Sequence, residues 1–325
     1  MLDEFYIEKL VKKKFPYKSR FFPTGIGDDS AVLNLKDSSL VVSSDSQVQD
    51  VHFNLKNFKP NEISSRALAV SVSDICAMGA EPKFFLNSLF IPRSTKKFFI
   101  NRLFEGFKFS SDEFGVKLIG GNVSLSASLI IDVTVIGKCI NNKFKERGKS
   151  KLGDIIYVSG KVGDAANGMT LLRKTRIYNK SEKGLISKYI APRPKIKLGK
   201  ILGQIDYLTS MIDVTDGLSI DLNRLLSGSS KTLGALIVWE KIPKTNVNKE
   251  FISDKLFSNN VLGGGDDYEL LFTVKRENHD DFKKLIERKK LEVSEIGYVT
   301  TNKGIKLNRG GRTTTLEIKG FTHRF

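Results

Sequence analysis

Between positions 128 and 138 the chain alternates, with Leu129, Ile131, Val133 and Val135 on one side of an extended backbone. A period of two predicts a half-buried strand, and the run SLVVSSD at 39–45 predicts another. Helical periodicity takes over at 61–78, where Ile63, Ala67, Val70 and Asp74 fall on one stripe. It returns at 94–114, where Phe99, Leu103, Phe107 and Phe114 recur behind Ser94, a candidate N-cap. Those aromatics read as core. A polar, basic connection, NNKFKERGKS at 141–150, then breaks the pattern and divides the chain into expected domains 1–145 and 146–325. The second half opens with a strand, GDIIYVSG (153–160), a small-residue turn, KVGDAANGM (161–169), and a helical stretch. After Ala191-Pro-Arg-Pro194 come a helix, a strand and turn at 208–217, and a helix with Leu218, Leu222, Leu225 and Leu226 on one stripe. The stretch GGGDDYELLFT (263–273), a charged helix near 277–290 and a β-rich tail complete the chain. Strands and helices alternate in both halves, so the predicted class is α/β, in two lobes.

Composition changes that picture little. The 325 residues, 40% of them hydrophobic, suffice for two cores. No apolar run is long enough to span a membrane, and MLDEFYIEKLVKKKF lacks the pattern of a signal peptide, so a cytoplasmic address without a membrane partner is expected. Cys76 and Cys139 lie far apart in apolar surroundings and read as reduced packing residues. The excess of 53 Lys+Arg over 36 Asp+Glu gives +17, which raises a nucleic-acid partner as an option. The lysines fall in short runs without the aromatic interleaving of an RNA platform, so solvated faces are expected and nucleic acid is not.

Acids stand out against that basic background. Asp28 and Asp29, Asp45, Asp74, Asp213 and Asp216, and Asp266 and Asp267 recur at predicted turns and strand ends. One such Asp is ordinary turn chemistry; the set is more informative. Asp74 shares the apolar stripe of its helix, and an inward carboxylate is costly unless a cation meets it. A buried Lys or Arg is one candidate, and Mg²⁺, which takes carboxylates and often phosphates, is the other. His52, His279 and His323 lack zinc-ligand spacing. Neither GxxxxGK[ST] nor a GxGxxG after a strand is present. Any nucleotide must therefore be held through acid-bound Mg²⁺ and glycine turns such as Gly25/Gly27, Gly120-Gly121 and Gly263-Gly264-Gly265.

In their order, GIGDDSAV (25–32), VVSSDSQVQDVHF (41–53), RALAVSVSDICAMGAEP (66–82), LIGGNVS (118–124), VSGKVGDAANG (158–168), IDVTDGLSIDL (212–222), GGDDYELLFT (264–273) and KGFTHRF (319–325) resemble the thiamine-monophosphate kinase family. That family belongs with the aminoimidazole ribonucleotide synthetase-like proteins, and the resemblance spans nearly the whole chain. It implies an N-terminal mixed-sheet, barrel-forming domain followed by a C-terminal α/β domain. It also implies phosphorylation of thiamine phosphate by ATP with several Mg²⁺ ions, a monovalent ion being left open, and a homodimer formed through the N-terminal sheet. Carried across the motifs, Asp29, Ser43, Ser44, Asp45, Asp74, Asn122, Asp213 and Asp216 would hold Mg²⁺, with Asp213 and Asp216 nearest the transferred phosphate and Asp28 in support. Gly121, Asn122, Arg147 and Thr215 would contact ATP, and His52, Asp266 and Phe321 thiamine phosphate.

The chain departs from the family pattern in three places. Asn122 stands where Gly-Gly-Asp is usual, which should weaken Mg²⁺ binding without abolishing it. Ser43-Ser44-Asp45 replaces Ser-Thr-Asp, and Asp266 is one methylene shorter than the usual Glu. The alternatives are a related ATP-dependent synthetase and a noncatalytic nucleotide-binding paralogue.

Overall fold

A computed structural model of the chain describes residues 4–15, 19–21, 23, 24, 27–174, 177–227, 233–301 and 303–323. Gly25 and Ile26 of the first acidic motif, and Arg324 and Phe325 of the last, lie outside the described residues. The N-terminal lobe runs α1 (Glu4–Lys14), β1 (Ala31–Asn34), β2 (Ser39–Val48), α2 (Pro60–Ala77), β3 (Glu81–Pro92), α3 (Lys97–Phe114), β4 (Lys117–Ser126) and β5 (Ile130–Lys138). Its strands form a mixed sheet ordered β1-β2-β5-β3-β4, with β3 and β4 parallel. The second lobe contains β6 (Ile155–Ser159), α4 (Asp164–Leu172), α5 (Lys180–Ile190), α6 (Ile196–Gly203), β7 (Leu208–Val214), α7 (Leu218–Leu226) and β8 (Gly234–Val238). It continues with α8 (Asp254–Gly263), β9 (Glu269–Val274), α9 (His279–Lys289), β10 (Val293–Thr300), β11 (Gly304–Arg309) and β12 (Arg312–Leu316). The second sheet is ordered β12-β11-β8-β10-β6-β9-β7.

The predicted α/β alternation is therefore present in both lobes, and two local readings need correction. Helix α3 begins at Lys97, not 94, because Pro92–Thr95 closes a turn through the Thr95 N–H and the Pro92 carbonyl, leaving Ser94 outside the helix. The segment 161–169 is mostly helix. The Asp267 carboxylate accepts the N–H groups of Gly163 (2.5 Å) and Ala165 (3.0 Å), which caps α4 from a distant strand end and starts the helix at Asp164.

Helix α2 ties the lobes together. Its buried stripe, with Ile63, Ala67, Leu68 and Val72, packs on the inner face of the first sheet against Val41, Ile131, Val133 and Val135. The same apolar cluster continues into the second lobe through Leu202, Met211, Leu270 and Phe272. Burial of this kind is worth about 25 cal/mol per Å² of apolar surface, so the shared core is what docks the lobes. At the end of α2, Gly79 lies so close to Gly203 of α6 that a Cβ on it would stand 2.5 Å from the Gly203 Cα. No side chain fits there, and α2 and α6 touch backbone to backbone. Cys76 and Cys139 are buried free thiols, as expected. None of the described helices is long and apolar enough to cross a membrane.

Candidate active site

Strand β2 turns alternate residues to opposite faces, so Ser43 and Asp45 point inward toward α2 while Ser44 and Ser46 point outward. The last turn of α2 presents Asp74 to that inner face, where its carboxylate accepts a hydrogen bond from the Ser43 hydroxyl. Neighbouring Ser73 turns the other way and donates to Asp213 at the end of β7. Asp29, just before β1, completes the group and pairs with Arg147 from the inter-lobe connection, at 2.6 Å. Asp28 accepts the Arg147 backbone N–H at 3.2 Å. The inward carboxylate expected at 74 therefore meets a hydroxyl and other acids.

The electrostatics are those of an acid cluster held out of water. Burial, then the charges of Asp45, Asp213 and Asp29, push the Asp74 carboxyl well above the usual range. Burial and Asp29 do the same to Asp213. Asp45 and Asp29 are raised by burial, the latter against the pull of Arg147, and Asp28 is pushed up to about 7 by burial and the charge of Asp29. One oxygen each of Asp29 and Asp45, the Oδ2 atoms, is buried without a hydrogen-bond partner. Among the described residues no three acids close on a common point. The donors are nevertheless hard oxygens with unfilled acceptor capacity, which fits Mg²⁺.

Beside the cluster, the turn after β7 is built by a residue not predicted for the site. The fully buried Asp221 carboxylate accepts the N–H groups of Thr215, Asp216 and Gly217 at 2.9–3.0 Å and pairs with Arg224 at 2.8 Å. Arg224 also holds Asp216. Gly217, at φ 135°, packs on Gly263, and Gly265 lies against the Thr215 carbonyl, so neither loop leaves room for a Cβ.

The predicted substrate residues form a separate group at the same junction. The Phe321 N–H donates to the Asp216 carbonyl at 3.0 Å, which brings the C-terminal segment to the site. The Phe321 ring lies 6.5 Å from His52, and His323 stands 5.3 Å from His52 and 4.9 Å from Phe321. His52 has its pKa lowered by burial, then by His323 and Arg66. Asp266, at φ 70°, pairs with the buried Arg66 of α2 at 2.5 Å and accepts from the Tyr268 hydroxyl at 2.9 Å.

Not every predicted residue joins these groups. Ser44 faces outward, bonded to Asp132 and Thr134. Gly121 and Asn122 lie on exposed edge strand β4, where the register Asp45–Val133–Asn87–Gly121 separates them from the inner acids by the width of β5 and β3. Arg66, Ser73, Asp221, Arg224 and His323 were not read as site residues. Arg66 had a usable signal, a charge three positions after Ile63 on a largely apolar helix, whereas Ser73 and Arg224 had none.

The two lobes are those of the AIR synthase related proteins. The model of their N-terminal domain matches residues 27–139 and that of their C-terminal domain residues 151–309. Within that class the chain belongs to the thiamine-monophosphate kinase family. It is 34% identical to the thiamine-monophosphate kinase of Buchnera aphidicola subsp. Acyrthosiphon pisum, covering 92% of each chain. It is 32% identical to that of Bacillus subtilis, covering 99% of each. Among solved structures it is similar to one described as AaThiL complexed with AMPPCP and TMP, with a TM-score of 0.85 and 30% identity, covering 99% of this chain and 97% of that one.

Proposed function

We propose that this protein transfers the terminal phosphoryl group of ATP to thiamine phosphate, forming thiamine diphosphate. The observation that carries the reading is the gathering of the buried acids Asp29, Asp45, Asp74 and Asp213, together with the C-terminal segment that brings Phe321 to Asp216 and to His52. Its family membership supports the same reaction.

Donor and acceptor are both phosphates, so the barrier is set largely by charge and alignment. The acceptor oxygen is ionised at neutral pH, so a strong protein base is unnecessary. Bound Mg²⁺ supplies charge neutralisation and alignment of the phosphates. Asp29, Ser43, Asp45, Asp74 and Asp213 would hold it on the inner face, Ser44 and Asn122 on the outer face, and Asp216 beside the second lobe. Arg147 carries a fixed positive charge at the inter-lobe connection and, with Gly121, Asn122 and Thr215, is assigned to ATP. Asp221 fixes the backbone that presents Thr215 and Asp216. His52 and Phe321 form the wall for the thiamine rings, and Asp266, held by Arg66, offers a carboxylate to their positive charge.

Exposed strand β4 carries Leu118, Ile119, Val123 and Leu125 into solvent, and we assign this face to a homodimer contact. The domain boundary is placed at 145/146 and the location in the cytoplasm. The direct test is incubation of purified protein with Mg-ATP and thiamine phosphate, followed by chromatography for thiamine diphosphate. Folded protein that makes no product would favour a related synthetase or a noncatalytic role.

A further inference from the structure

Residues 317–323, after β12, form neither helix nor strand, yet their backbone is fastened to the start of α7. Ser219, in the first turn of α7 and fully buried, holds Lys319 at both of its backbone groups. The Ser219 hydroxyl donates to the Lys319 carbonyl at 2.7 Å and accepts the Lys319 N–H at 3.0 Å. One side chain thus gives Lys319 the pairing that a neighbouring strand would give it in a sheet. Two residues on, the Phe321 N–H reaches the Asp216 carbonyl at 3.0 Å. Gly320, between these anchors, lies flush with α7: a Cβ on it would stand 2.3 Å from Ile220 Cγ2 and 2.8 Å from the Asp216 carbonyl oxygen.

The anchors belong to the second lobe, whereas the rings they carry meet the first. Phe321 and His323 both lie against His52, whose own ring is oriented by the Val48 N–H donating to its Nδ1 at 3.0 Å. Phe321 is 48% exposed, so side-chain packing does little to fix it and the backbone anchors decide where the ring stands.

We propose that Ser219 is a positioning residue for the acceptor substrate: by fastening Lys319 it sets the Phe321 ring beside His52, where the thiamine rings bind. The inference rests on the kinase reading above and on its assignment of His52 and Phe321 to thiamine phosphate. Buried Ser219 acts on the substrate through the C-terminal segment. Contacts to the thiamine rings are remote from the transferred phosphoryl group and equal before and during transfer, so weakening them raises KM and leaves kcat. The turn carrying Thr215 and Asp216 keeps its separate support from Asp221.

The test uses the purified protein with Mg²⁺. Calorimetry in the presence of a nonhydrolysable ATP analogue reads the Kd for thiamine phosphate, and steady-state rates give kcat and both KM values. Ser219→Ala should raise the Kd and KM for thiamine phosphate about tenfold, with kcat and the KM for ATP within about twofold of wild type. Gly320→Ala, which lifts the segment off α7 by a different route, should do the same. In a chain ended at Ile318, Ser219→Ala should have no further effect. A Kd unmoved by Ser219→Ala overturns the proposal, and so does an equal loss in the shortened chain, which would mean that Ser219 acts through its own helix. Thiamine phosphate affinity that falls with Ser219→Ala, in a protein that makes no thiamine diphosphate, would sink the kinase reading and leave Ser219 its role. Product formation with a Kd indifferent to Ser219→Ala would do the reverse.

Discussion

Replacing Asp74 with Asn should stabilise the metal-free protein while nearly abolishing turnover. The Ser43 hydroxyl keeps an acceptor in the amide oxygen, and the shape of the side chain is unchanged. What disappears is a partly buried negative charge facing Asp45, Asp213 and Asp29. A carboxyl whose folded-state pKa is raised costs stability once pH exceeds its unfolded value, and the cost grows until pH passes the folded value, at about 1.4 kcal/mol for each pKa unit. Removing it should add about 1–3 kcal/mol at pH 8. In a chain of this size that corresponds to a rise in Tm of about 2–6 °C. Near pH 4 the wild-type carboxyl is protonated and the difference should vanish. Thermal melts in EDTA at both pH values test this, alongside melts with Mg²⁺, which should favour the wild type. An Asp74→Asn protein less stable than wild type at pH 8, or equally stabilised at both pH values, would refute the argument, and near-normal turnover would remove Asp74 from the ion site.

Other substitutions probe the surrounding framework. Asp221→Ala orphans the N–H groups of Thr215, Asp216 and Gly217 and should cost about 3 kcal/mol, with a fall in kcat; denaturant titration checks the first and steady-state kinetics the second. An unchanged kcat would mean that the turn does not present reacting groups. His52→Ala should chiefly raise the KM for thiamine phosphate, whereas an effect confined to the KM for ATP would move His52 out of the substrate wall. Val123→Lys, on the exposed face of β4, should shift the molar mass seen by light scattering from dimer to monomer; a dimer that persists would place the contact elsewhere.

Periodicity was enough to recognise most elements, because the buried faces are strongly apolar: the 128–138 alternation is β5, and the stripe containing Ile63 and Ala67 is the inner face of α2. It failed where a distant group decides the backbone, as when Asp267, some hundred residues further along the same lobe, caps α4. Local spacing carries no trace of such a partner. The inward position of Asp74 was legible from its stripe, and the acids Asp29, Asp45 and Asp213 from their motifs. The separation of Ser43 from Ser44 also follows from strand alternation, but which face looked toward α2 needed the packed sheet.

On α2, Ser73 bonds to Asp213 in the second lobe and Asp74 to Ser43 in the first, so consecutive residues of one helix face opposite halves of the molecule. Neither lobe carries a complete site as a separate piece. A chimera that exchanged lobes between relatives would need α2 and β7 to come from the same parent, or their facing surfaces to be rematched, before the reaction could be transplanted.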